Sequence, residues 1–143
     1  MNKLKITCMK IIGLKIIKKE IFKNSKGDII KYISKKDKIF KKFGEVYFSE
    51  IKKNKRKGWN LHKRNYCLVT VPFGKVKFTL FDGRKNSKTH KTINKITLSK
   101  KKHKVLLIPP GIWFSFTTTT EKSLVANILN NIHSPKETIK FPI

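Results

Sequence analysis

Cysteine is almost missing from this chain: only Cys8 and Cys67 occur. Two are too few for a disulfide framework or a metal quartet, and they read as free thiols of a reducing compartment. No stretch approaches the ~20 apolar residues of a membrane-spanning helix. The basic, apolar segment Met1 to Phe22 is interrupted by Lys10 and Lys15, and no small-residue cleavage site follows it, so it does not read as a secretion signal. The expectation is a cytoplasmic protein with no membrane insertion. The four histidines, His62, His90, His103 and His133, lack the H-x-H or HExxH spacing that would set two ligands on one metal, and no metal is expected. A glycine-rich phosphate loop, a serine elbow and a zinc knuckle are all absent. So is the aromatic-flanked basic signature of an RNA-binding sheet.

Acidic residues are scarce too. Eight Asp and Glu face 35 Lys and Arg, a formal net charge of +27, and such a surface attracts polyanions. Yet the basic residues are 32 Lys and only 3 Arg, beside 19 Ile, 10 Asn and a single alanine, Ala126. That is the bias of an A/T-rich coding sequence, and Lys is a poorer choice than Arg for bidentate phosphate or guanine contacts. Nucleic acid is therefore expected only as non-specific binding to a basic surface.

What remains is enough for one packed domain over residues 1–143, with a core at about 12–130 and a tail at 131–143. Hydrophobic residues make up 38% of the chain, with ten Phe among them, and 143 residues suit a single core. Residues 10–22 alternate with period two, which argues for strand; 24–28 is a turn cluster, and 29–43 fits helix and strand about equally. Further strands are predicted at 46–51, 65–71, 76–81, 92–98, 105–108, 113–118 and 123–129. Basic residues 52–57 read as a turn, 72–74 as a turn, 82–91 as a polar loop, and the tail from Ser134 as packing over the outside. Short strands with Gly/Pro turns indicate an all-β sandwich, barrel or jelly roll.

Among the histidines, His62 stands out. It follows Lys57-Gly58-Trp59-Asn60-Leu61 just before a strand, which in a barrel sets an imidazole near the mouth beside basic residues, a setting for acid/base work. His103, within Lys100-Lys101-Lys102-His103-Lys104, reads as a solvated turn residue, and His90 and His133 as surface.

Several segments in order carry a resemblance. Asp82-x-Arg84-x-x-Ser87-x-Thr89, Leu98-Ser99 and Ile108-Pro109-Pro110-Gly111-x-x-x-x-Phe116 resemble the dTDP-4-dehydrorhamnose 3,5-epimerase family. Lys57-Gly58-Trp59-Asn60 sits where that family has R-G-L-H. Leu68-Val69 and Gly74-x-Val76 fall in the matching strand pair, and residues 24–28 resemble its early D-x-R-G turn. The resemblance implies a cupin-type jelly roll, a homodimer, no cofactor, and a nucleotide-linked 4-keto-6-deoxy sugar as substrate in cell-surface polysaccharide (lipopolysaccharide) synthesis. The implied chemistry moves the proton beside a ketone through an enolate, which needs a base, an acid and a donor or cation at the keto oxygen.

The chain departs from that pattern where the chemistry lies. The family's base histidine aligns with Asn60, its enolate-steadying lysine with Cys67, a further histidine with Phe114 and its acidic tyrosine with Asn127. The late aspartate that pairs with the base has no visible counterpart. His62 lies two residues beyond Asn60, on the same face of a strand, and matches the second histidine of the related sugar 3,4-ketoisomerases. His62 is therefore the expected acid/base. Lys57, Asn60, Arg84 and Asn127 are expected sugar or phosphate contacts, with Trp59 or Trp113 an apolar wall. The alternatives are a non-catalytic binder of a nucleotide sugar or acidic glycan on the same scaffold and, motivated by charge alone, a nucleic-acid-binding β-barrel.

Overall fold

The computed structural model describes residues 10–141, so Cys8 lies outside the described residues. Among them there is no helix. One five-stranded sheet is formed by β1 (Lys15–Lys18), β4 (Glu45–Lys52), β6 (Cys67–Phe73), β9 (Lys104–Ile108) and β11 (Lys122–Leu129), in the order β1-β9-β6-β11-β4. The second holds β5 (Arg56–His62), β7 (Lys75–Asp82), β8 (Ile93–Ser99), β10 (Ile112–Thr118) and β12 (Thr138–Lys140), in the order β12-β5-β10-β7-β8. A small ribbon pairs β2 (Ile21–Phe22) with β3 (Ile29–Ile30). All pairings are antiparallel. Two such sheets face to face make the jelly roll.

Period-two patterning explains the layers. Along β7, Val76, Phe78 and Leu80 are buried while Lys75 and Lys77 are exposed. The inward residues meet Cys67, Val69 and Val71 of β6 and Val125 and Leu129 of β11 in the main core. Each large side chain buried this way contributes about 1.5–3 kcal/mol. The outer face of the first sheet has its own cover: Ile39, with Tyr32, Ile33 and Phe40, packs on Leu68, Val105, Leu107 and Ile128. Segment 31–43 is thus neither helix nor strand. It is an irregular cap whose apolar residues are spaced to suit the surface beneath.

Four expectations need correction. The strand expected over residues 10–22 is confined to β1 and the two residues of β2, with 10–14 outside any strand. The basic turn ends early, because β5 already begins at Arg56, and residues 56–62 form a full strand. That strand escaped the hydrophobic pattern because its inward side chains are polar. The tail does more than lie outside: β12 extends the second sheet along β5, with Thr138 opposite His62 and Lys140 opposite Asn60. His103 is buried, not solvated, with its Nε2 on the carbonyl of Lys31. It fastens the segment leading into the cap.

Candidate active site

A bulge builds the site. β5 and β10 pair Leu61 with Trp113 and Asn60 with Phe114, then slip, so that Lys57 is opposite Phe116. Simple alternation would send residues 57 and 60 to opposite faces; the extra residue brings both to the inward face beside Phe114 and Phe116. Gly58 makes this fit. It has φ +107°, and a Cβ there would stand 2.6 Å from the carbonyl oxygen of Phe114.

The inward face of that bulge closes a cavity of about 230 Å³ between the sheets. Its polar wall is Lys57 and Asn60 from β5, Tyr47 and Ser49 from β4, and Asn127 from β11; Val69, Phe78, Phe114, Phe116 and Val125 supply the apolar remainder. Lys57 Nζ donates to Ser49 Oγ at 2.8 Å, and Asn127 Nδ2 donates to the Tyr47 hydroxyl at 3.0 Å. Asn127 Oδ1 is buried and has no partner. Such an atom costs about 1–3 kcal/mol when nothing satisfies it. Burial pushes the Tyr47 phenol up to about 12 and the Cys67 thiol, fully buried behind Asn127, also up to about 12. Both are neutral at ordinary pH, and Lys57 supplies the wall's positive charge.

His62 shares the face of Asn60, as its spacing implied, but it does not line this cavity. It is 5% exposed, and its ring stacks on Phe114 with centroids 6.0 Å apart. Its Nδ1 lies 2.7 Å from Oε2 of Glu137, while Oε1 of the same carboxylate accepts from the backbone N–H groups of Arg64 and Asn65 at 3.0 and 2.8 Å. Burial would raise the Glu137 pKa, but the bonds from His62, Asn65 and Arg64 outweigh it and hold the group below its ordinary value. A carboxylate partner for the histidine therefore exists. Reading the sequence missed it because Glu137 lies 75 positions away, in a tail with no hydrophobic pattern.

The other expected contacts are dispersed. Trp59 and Trp113 point away from the cavity, onto the outer face of the second sheet. There, with Phe81, Ile93 and Phe141, they line an apolar groove of about 570 Å³. Trp59 also borders a depression of about 460 Å³ with Lys57, Asn60, Lys140 and Phe141, which thus shares Lys57 and Asn60 with the cavity. Arg84 borders none of these three. Its Nε and Nη2 donate to Asp82 at 2.9 Å each, and Nη2 also reaches the carbonyl of Ile12. Asp82 further accepts from Ser87 and Thr89 at 2.7 Å each. Burial opposes its charge, but the bonds from Arg84, Ser87 and Thr89 prevail and hold the carboxyl well below the usual range. The D-x-R-x-x-S-x-T segment is a folded clamp. No group of three or more His, Cys, Asp or Glu suited to a metal occurs among the described residues.

Comparison with known proteins matches this architecture. The family model described as dTDP-4-dehydrorhamnose 3,5-epimerase matches residues 8–141. A solved dTDP sugar isomerase from Desulfovibrio desulfuricans is 29% identical, with a TM-score of 0.91 over 93% of this chain and 86% of that one. A dTDP-4-dehydrorhamnose 3,5-epimerase from Sulfolobus tokodaii is 25% identical, with a TM-score of 0.81 over 92% and 82%. An epimerase from Legionella pneumophila, solved with dTDP-4-keto-L-rhamnose, is 22% identical, with a TM-score of 0.82 over 90% and 72%, and shares the fold. No curated protein matches the chain. With the family model matching residues 8–141 and the solved structures sharing the fold, the chain belongs to the dTDP-4-dehydrorhamnose 3,5-epimerase family.

Proposed function

We propose that this chain is a nucleotide-sugar epimerase or isomerase, holding a dTDP-linked 4-keto-6-deoxy sugar and moving the proton beside its ketone. The observation that carries this is the unpartnered Asn127 Oδ1 in a small, half-apolar cavity with one cation at its wall. At about 230 Å³ the cavity is below the ~300–1,000 Å³ of sites that enclose a drug-sized ligand. It takes one sugar ring and leaves the nucleotide outside. The adjoining depression suits that remainder, with Lys57 and Lys140 for the diphosphate and Trp59 and Phe141 for the base.

His62 is the acid/base in this reading. Glu137 holds the Nδ1 edge, so Nε2 is the atom free to take a proton. Phe114, stacked on the imidazole, lines the cavity where His62 does not, so its ring must turn aside for the proton to pass. The same observation favours a second reading, a non-catalytic nucleotide-sugar binder, because the cavity wall holds neither imidazole nor carboxylate. The family match supports a role in cell-surface polysaccharide synthesis, the scarcity of cysteine supports a reducing compartment such as the cytoplasm, and the apolar outer groove supports a homodimer with that face covered.

NMR of the protein with dTDP-4-keto-6-deoxyglucose in D₂O tests both readings. Protein-dependent exchange at C3 or C5, lost in a folded His62→Gln variant, is the expected result. Saturable binding without exchange leaves the binder. Exchange unchanged in His62→Gln removes His62 from the reaction.

A further inference from the structure

The donors and acceptors of the cavity can be counted. Tyr47 on β4 is the register partner of Asn127 on β11, and its oxygen accepts Nδ2 of that amide at 3.0 Å. A phenol oxygen that accepts an N–H still has its own hydrogen to give, and Tyr47 donates to no acceptor among the described residues. Asn127 Oδ1, in a residue only 4% exposed, accepts from none. One free donor and one free acceptor are thus held side by side at the cavity, the acceptor covered in this structure.

A carbonyl oxygen can only accept, and a hydroxyl can donate. We propose that Tyr47 and Asn127 together recognise an α-hydroxy ketone, the phenol donating to the keto oxygen and the amide oxygen accepting from the neighbouring hydroxyl. This rests on the reading that the cavity holds a keto sugar, and it names the residue that meets the oxygen. When the base takes the α-proton, the C–H electron pair forms the C=C bond and the carbonyl π pair moves onto oxygen. The hydrogen bond that the Tyr47 hydroxyl donates then strengthens on that oxyanion, with its proton remaining on the phenol. A tyrosine phenol is protonated at ordinary pH, and the partial burial of Tyr47 moves it further in that direction. No motif pointed to Tyr47, because it is an ordinary aromatic in a strand until the register sets it beside Asn127.

The test is calorimetric binding of dTDP-4-keto-6-deoxyglucose and of dTDP-6-deoxyglucose, which has a hydroxyl in place of the ketone. Wild type is expected to favour the ketone by on the order of tenfold. Tyr47→Phe, which removes one oxygen, should abolish that preference. Asn127→Leu should weaken both ligands by a similar factor while thermal melting shows it folded. A preference retained in Tyr47→Phe overturns the proposal and leaves the sugar reading standing, as does a wild type that binds both ligands equally. A wild type that binds neither removes the sugar reading and this inference with it.

Discussion

The Asp82 clamp after β7 and the cavity between the sheets are polar clusters each built around one buried side chain, Asp82 or Asn127, and they end their hydrogen-bond accounts differently. In the turn, Asp82 takes bonds from Arg84, Ser87 and Thr89, and none of these four residues has a buried polar atom without a partner. In the cavity, Lys57 meets Ser49 and Asn127 meets Tyr47, but Asn127 Oδ1 is left over. A cluster that satisfies itself fixes the backbone. One that leaves an atom unpaired accepts the cost and gains it back when a ligand supplies the missing donor. The most recognisable segment of the sequence is therefore the structural one, and the least recognisable residues carry the candidate chemistry.

Substitution sharpens that contrast. Asp82→Ala should be the most damaging change, costing about 3–5 kcal/mol in urea unfolding, because it leaves Arg84 and two hydroxyls facing a space that held their charge partner. Glu137→Gln should cost about 1–3 kcal/mol, since it weakens the bonds that join His62, Arg64 and Asn65 to the tail. It also has a pH signature. The folded pKa of Glu137 lies below its unfolded value, so the native state binds the proton less readily. The stability this confers is complete above the ordinary Glu value of ~4.3 and is lost as pH falls through the lowered folded value. The gap in melting temperature between wild type and Glu137→Gln should narrow on going from neutral pH to about pH 3.

Thr89→Val removes one hydroxyl from the Asp82 clamp and should cost about 1 kcal/mol, again by urea unfolding. Asn127→Leu should be the mildest, below ~1 kcal/mol and a few degrees at most in thermal melting, because the one bond it removes, to the partly exposed Tyr47 hydroxyl, is offset by deleting an oxygen that was already unsatisfied. If it destabilises as much as Thr89→Val, the two clusters do not differ and the cavity is structural.

Much of the scaffold was legible because its signals are local. Alternation located most of the longer strands, as at Val76 to Phe81, and Gly74 and Pro110-Gly111 marked turns. β5 was not legible in that way, because its inward residues Asn60 and His62 are polar and a bulge breaks its period. The pairing of His62 with Glu137 was hidden by separation in sequence, and the burial of His103 by the lysines around it. Lys57, Asn60 and Asn127 were named from the resemblance and do meet in one cavity. Arg84, Trp59 and Trp113 were named with them and face elsewhere.

The sequence by itself determined the all-β class, the single domain and the family, since these rest on composition, period-two patterning and ordered short motifs that adjacent residues carry. Only the tertiary structure decided which polar groups share a space. That depends on register and bulges: one extra residue at Gly58 turns Lys57 inward beside Asn60, and one strand pairing sets Tyr47 against Asn127. Neither can be read from a single strand, because each exists only between two.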